Sequence, residues 1–128
     1  MAAGPNPHGA GVQKMNTLED ATTMLHRIHG LVETYALQVR QNKPGGSILQ
    51  NLKRQLPLLA GKLKGQFGMI SDLVTSVNMQ MSRGASDQIR VRTMREGVAA
   101  IRVQLEIAVT QTIAKHEVKE SRPSEQQG

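Results

Sequence analysis

The chain contains no cysteine and no tryptophan, and it has only one phenylalanine and one tyrosine among its 128 residues. Without cysteine it has no disulfide bonds and no thiolate chemistry, which fits an intracellular protein. Without aromatic rings it lacks the stacking platforms on which proteins usually bind single-stranded nucleic acid. The core must therefore consist of Leu, Ile, Val, Met and Ala, which suits packing between helices.

Long apolar runs and signal-peptide features are also missing. No apolar run approaches the roughly 18 residues of a membrane-spanning helix, and the first residues lack the basic start and apolar centre of a signal peptide. We therefore expect a soluble intracellular protein, in the cytoplasm or the nucleus, without a membrane span.

Acidic residues are absent between Glu33 and Asp72, although the same segment holds six Lys and Arg residues and the chain has a net charge of +6. Such a segment should attract acidic partners. Its candidate contacts for phosphates or for an acidic protein are Lys53, Arg54, Lys62 and Lys64.

Three apolar stripes with steps of three and four residues predict three helices, at about 17–42, 47–82 and 86–117. Turn-forming residues separate them, QNKPGG at 41–46 and SRGASDQ at 82–88. The helices form a bundle over 15–118, between disordered tails at 1–14 and 119–128. The stripes are, in order, Leu18, Ala21, Leu25, Ile28, Val32, Tyr35 and Val39; Leu52, Leu56, Leu59, Leu63, Phe67, Ile70, Val74, Val77 and Met81; and Val91, Met94, Val98, Ile101, Leu105, Ala108 and Thr112.

Residues 56–68 read LPLLAGKLKGQFG and challenge the second helix, because glycine and proline are the poorest helix formers. Gly61, Gly65 and Gly68 lie opposite the leucine stripe, with Pro57 beside them, and the stripe continues on both sides. We therefore expect one long helix that is loosened at Pro57. The alternative is a break before Pro57, with the proline in the first turn of a new helix.

The expected fold is all-α: an elongated, coiled-coil-like antiparallel bundle of three helices, completed by self-association or by a partner. We expect completion by self-association or by a partner because the third helix carries a second apolar stripe opposite the first. Its residues are Ile89, Ala100, Val103 and Ile107. The alternation of apolar and polar residues over 101–109 would also suit a strand, but no second strand is available to pair with it.

Two histidines invite a chemical interpretation. Residues 25–30, LHRIHG, resemble the His-x-(Leu/Ile)-(Lys/Arg)-Gly signature of histidine phosphotransfer domains. The resemblance implies that His26 accepts the phosphoryl group and that Gly30 leaves room for the donor, although His29 stands where the family has a basic residue. His26 and His29 with Glu33 would make only a weak metal site, because two imidazoles need a firm third ligand. We expect no metal, no cofactor and no catalysis.

The sequence predicts a non-catalytic helical interaction protein, a small subunit or adaptor of a larger assembly. Gly61, Gly65 and Gly68 have the small-xxx-small spacing that lets another helix approach closely, and Val103 and Ile107 offer apolar contacts. These five residues are the candidate partner-binding residues, for a protein partner or a second copy of the chain. The alternative is a basic helical accessory protein that binds nucleic acid, and the third hypothesis is phosphotransfer through His26.

Overall fold

The computed structural model describes residues 9–83 and 86–127, with side chains for residue 9 and for residues 11–83 and 86–116. Over this part of the chain the all-α prediction is confirmed, but the three-helix bundle is wrong. There are four helices: α1 (Ala10–Arg40), α2 (Gly46–Lys64), α3 (Gly68–Ser82) and α4 (Asp87–Gln127).

The helical limits also differ from those expected for the tails. Residues 10–14 belong to α1, and residues 119–127 continue α4 as helical backbone. The predicted disorder of residues 1–8 and 128 lies outside the described residues. Residues 84–85, between α3 and α4, also lie outside them.

Consecutive helices run antiparallel, and α4 packs beside α1 to close the ring of four. The Lys62 ammonium group lies 3.0 Å from the Asp20 carboxylate, which places the end of α2 beside the early turns of α1. Helices α1 and α3 face each other across the core, as do α2 and α4. The architecture is an up-down-up-down four-helix bundle.

The three predicted stripes form the core of this bundle. Every stripe residue is buried except Val39 and Phe67, which are partly buried and pack against the core. The second stripe is shared between α2 and α3. The core is therefore aliphatic, with Tyr35 as its only fully buried aromatic side chain among the described residues.

The expected helix over 47–82 is interrupted at residues 65–67, neither at Pro57 nor before it. Pro57 remains inside α2, and Phe67 leaves the helical conformation with φ −136° and ψ 62°. The Ser71 hydroxyl donates a buried hydrogen bond of 2.8 Å to the carbonyl of Ala60, which holds the two helices together. Folding back lets the two halves of one apolar stripe pack against each other, which a single straight helix does not allow.

The sequence signals at two other helix ends are confirmed. Asn42 has a positive φ of 57°, its N–H bonds the carbonyl of Val39, and the N–H of Lys43 bonds that of Gln38. These contacts form the Schellman motif that ends α1. At the start of α4, the Ser86 hydroxyl accepts a hydrogen bond of 3.2 Å from the N–H of Ile89, as an N-cap does.

The four helices have unequal lengths. At 1.5 Å per residue, α1 and α4 are about 45 and 60 Å long, whereas α2 and α3 are about 30 and 23 Å. The α2–α3 turn lies beside the second turn of α1, where the Thr17 hydroxyl donates to Gln66 over 2.6 Å. Farther down, Gly11 of α1 packs against the ring of His116 in α4. Within the described residues, this end of the bundle therefore consists of two helices.

At the opposite end, the largely buried side chain of Arg90 joins three helices. Its Nε donates to the carbonyl of Met81 over 3.0 Å, and its second terminal nitrogen reaches the carbonyl of Arg83 over 3.4 Å. The remaining nitrogen donates to the Tyr35 hydroxyl and to Asp87, over 3.2 and 3.1 Å. The Tyr35 hydroxyl in turn donates to Asp87 over 2.7 Å, and burial followed by this bond raises the pKa of Tyr35.

Replacing this arginine tests the network. We expect Arg90→Lys to lower the free energy of unfolding by about 1–3 kcal/mol, because one ammonium group cannot reach both carbonyls and both side chains. Arg92→Lys, on the exposed side of the same helix, is the matched control and should change stability little. Denaturant unfolding measures both, and equal effects of the two substitutions would contradict the assigned role of Arg90.

A second test concerns glycine. A Cβ at Gly97 would lie 2.7 Å from both γ carbons of Val77, whereas a Cβ at Gly61 meets nothing within 4 Å. We expect Gly97→Ala to lower the free energy of unfolding, because α3 and α4 must move apart. Gly61→Ala should raise it by up to about 1 kcal/mol, because alanine is the better helix former. Thermal and denaturant unfolding would show opposite signs for the pair; a stabilising Gly97→Ala would argue against this close approach.

Candidate partner-binding site

A groove of about 400 Å³ opens beside the turn between the end of α2 and the start of α3, where α1 and α4 continue past that turn. The turn and the first residues of α3 form one wall. The opposite wall comes from α4, with Lys14 of α1 at the edge. The lining residues are Lys14, Gln66, Phe67, Gly68, Met69, Ile70, Gln104, Ile107, Ala108, Gln111, Thr112, Lys115 and His116.

The groove continues the interface between α3 and α4. Higher in the bundle, Val77 of α3 covers α4 at Gly97. At about 100° per residue, Gln104, Gln111 and Lys115 lie on nearly the same side of α4 as Gly97. Since α3 begins only at Gly68, no helix of the described residues lies against this side of α4 farther down, and it lines the groove instead.

Large apolar side chains are exposed on both walls of the groove and next to it. Met69 is 88% exposed, and Ile107 across from it is 43% exposed. Val103, 49% exposed, lies one turn before Ile107 on the same side of α4. Single exposed apolar residues are ordinary, but a group of them beside a groove is typical of interaction sites. We call Met69, Val103 and Ile107 the apolar rim.

The charged groups of the groove have one sign. Lys14 and Lys115 line it together with His116, and among the residues whose side chains the structure describes none of those lining it is acidic. Helix α3 starts at its wall with Phe67 as N-cap, without a side-chain cap and without an acidic residue in the first turn. The free N–H groups of such a helix start favour negative charge. The groove therefore combines an apolar rim with a positive electrostatic environment.

His116 has a structural role in the groove wall. Its ring lies so close to Gly11 that a Cβ there would be 2.7 Å from two ring atoms. Its Nε2 is enclosed and lacks a hydrogen-bond partner within the part of the chain that the structure describes.

The predicted partner-binding residues are only partly brought together. Gly68 and Ile107 line the groove, and Val103 belongs to the apolar rim. Gly61 and Gly65 are exposed on α2 and at its end, with nothing within 4 Å of an added Cβ. The three glycines do not form one stripe, because the break at 65–67 puts Gly68 on a different helix.

The predicted phosphate contacts do not share one face. Lys53 and Lys64 leave α2 on the same side, whereas Arg54 and Lys62 point in other directions, about 100° or more away. Lys62 is already paired with Asp20 on α1. The basic segment is thus distributed around α2 rather than gathered into one patch.

The histidine pair of α1 lies at the surface. His26 lines a small cleft that also contains Arg102 and Glu106 of α4, so the cleft carries charges of both signs. His29 Nε2 is 4.0 Å from Glu33, whose carboxylate binds Arg95 through two hydrogen bonds of 2.7 and 3.0 Å. No cluster of three or more potential metal ligands occurs among the described residues.

The sequence analysis did not single out seven residues that line the groove: Lys14, Gln66, Met69, Gln104, Gln111, Lys115 and His116. Lys14 lies in the segment 1–14 that the sequence predicts as a disordered tail, and Met69 lies just outside the second stripe. No local pattern marks them, because they belong to three separate segments that only the four-helix arrangement brings together.

Comparison of the chain with protein families, with characterised proteins and with solved structures finds no match. Within the described residues, none of the helices combines the length and apolar character needed to cross a membrane. The candidate site therefore has to be interpreted from its own residues.

The Glu33–Arg95 contact between α1 and α4 yields a pH prediction. The hydrogen bonds from Arg95 lower the pKa of Glu33 below its ordinary 4.5. The stabilisation from a lowered carboxyl pKa is present above the unfolded value and is lost as pH falls through the folded value. We expect an NMR titration to place the Glu33 pKa below 4.5, and Arg95→Gln to return it towards that value. An unchanged pKa in the variant would show that the ion pair does not persist in solution.

Proposed function

We propose that this protein is a non-catalytic helical interaction protein, a small subunit or adaptor of a larger protein assembly. The observation that carries the proposal is the apolar rim, Met69, Val103 and Ile107, beside a groove at the incomplete end of the bundle. These side chains lie outside the core, so the fold itself does not require them to be apolar.

The energetics of burial support a partner at this surface. Burying one large aliphatic or methionine side chain contributes about 1.5–3 kcal/mol relative to leaving it in water. Three such side chains beside one groove form an exposed apolar group of the kind that marks interaction sites. A partner that covered them would gain most of this contribution at Met69 and about half of it at Val103 and Ile107, without any rearrangement of the core.

Nucleic-acid binding remains the alternative, since the segment between Glu33 and Asp72 has no acidic residue. Its support is weaker, because Lys62 is paired with Asp20 and the other cations leave α2 in several directions. Binding through phosphates would fall steeply with salt. The experiment below therefore includes nuclease.

Charged substitution on the rim tests the proposed function. We expect a variant with both Val103→Asp and Ile107→Asp to lose its protein partners in affinity purification with mass spectrometry, because carboxylates would be buried against apolar surface. The matched control is Leu58→Asp, which alters a residue that is 57% exposed on α2, away from the groove. Circular dichroism and thermal unfolding should show that the rim variant stays folded.

Four outcomes decide the matter. Partners that survive nuclease and are lost only in the rim variant support the proposal. Partners that disappear with nuclease from the unmodified protein favour the nucleic-acid alternative. If purification retains no partner and sedimentation shows only monomer, the protein is not an interaction subunit of this kind. A loss of dimer in the rim variant would identify the partner as a second copy.

A further inference from the structure

We propose that the groove binds an acidic amphipathic helix of another protein, which lies end to end with α3 along α4. The inference rests on the proposed function and names the partner's chemistry. Three properties of the groove carry it: its direction, its apolar rim and the sign of its charges.

The direction follows from the shared side of α4. From Gln104 to His116 the groove runs along thirteen residues of α4, a rise of about 18 Å or some three helical turns. Higher up, the same side of α4 already packs against a helix, α3. An occupant helix would repeat that packing beyond Gly68 and add a third helix to the two that the described residues form at this end of the bundle.

The apolar rim sets the spacing of the occupant's contacts. Met69 and Ile107 face the groove from its two walls. A helix between them would bury apolar residues spaced by three and four, the usual pattern of a helix bound in a groove. An extended peptide is less suitable, because the described groove wall is helical and offers no strand edge.

The charges of the groove determine which charge the occupant helix should carry. Lys14 and Lys115 approach the groove from different helices, and the uncapped start of α3 adds its N–H groups. Because none of the described lining residues is acidic, a basic or neutral helix would leave these positive groups without partners, whereas glutamates and aspartates would pair with them. A second copy of the chain is disfavoured, because each copy has a net charge of +6.

Photocrosslinking of the full-length chain in its native cells tests the groove directly. The photoreactive amino acid p-benzoylphenylalanine replaces Met69, and in the control it replaces Met79, an exposed residue on the same helix but away from the groove. We expect crosslinks from position 69 and not from 79, to one segment of another protein. Mass spectrometry should show that this segment has net negative charge and apolar residues at helical spacing.

Charge reversal then tests the assigned lysines. The crosslinked segment, made as a synthetic peptide, is titrated against the protein and two double variants. Lys14→Glu with Lys115→Glu should weaken binding at least tenfold. Lys53→Glu with Lys64→Glu, which makes the same change in net charge outside the groove, should weaken it less than threefold.

Each contrary result has a distinct meaning. Crosslinks from position 69 to a second copy, to a basic or neutral segment, or to nothing would overturn the acidic-helix proposal, and so would equal weakening by the two double variants. The proposed function would survive these results if purification still retained partners that depend on Val103 and Ile107. It would fail by itself if no nuclease-resistant partner were retained.

Discussion

The chain reverses direction at residues 65–67, and the relative lengths of the four helices depend on that turn. Where a continuous helix would have matched α1 in length, the turn leaves two short helices packed against each other, held by the Ser71–Ala60 hydrogen bond. Helices α1 and α4 therefore extend beyond them. The core, the unequal ends of the bundle and the groove beside Met69 all follow from this one reversal.

The sequence predicted the core well, because burial of an aliphatic stripe repeats every three to four residues whatever the partner helix is. Leu18, Leu52 and Ile101 occupy the same buried role that their spacing indicated. Two boundaries were equally readable. Asn42 can adopt a positive φ, and Ser86 can cap a helix through its hydroxyl, so both mark ends through local chemistry.

The turn was missed for a physical reason. The apolar stripe runs through Leu63, Phe67 and Ile70 with helical spacing, and a hairpin of two helices buries the same positions as one long helix would. Periodicity therefore cannot separate the two arrangements, and only the gain from packing α2 against α3 decides between them. The poor helix formers near the turn favour a break, but the sequence prediction placed the loosening, or the alternative break, at Pro57 and not at residues 65–67. At Gly97 the close contact with Val77 leaves no room for a side chain, and no local sequence pattern indicates this.

The groove could not be derived from the sequence, because its walls come from residues far apart in the chain. Yet its composition is informative once the walls are assembled. Arg90 ties the upper end of the bundle together, while the core residues nearest the groove, Ile70 and Ala108, remain buried without an occupant. Stability and exposure are thus separated along the molecule: hydrogen bonds and aliphatic packing hold the four-helix part, whereas Met69 and Ile107 are exposed beside the groove, where the two-helix end begins. A surface of this kind can be changed without loss of the fold, and so its role in binding can be measured independently of stability.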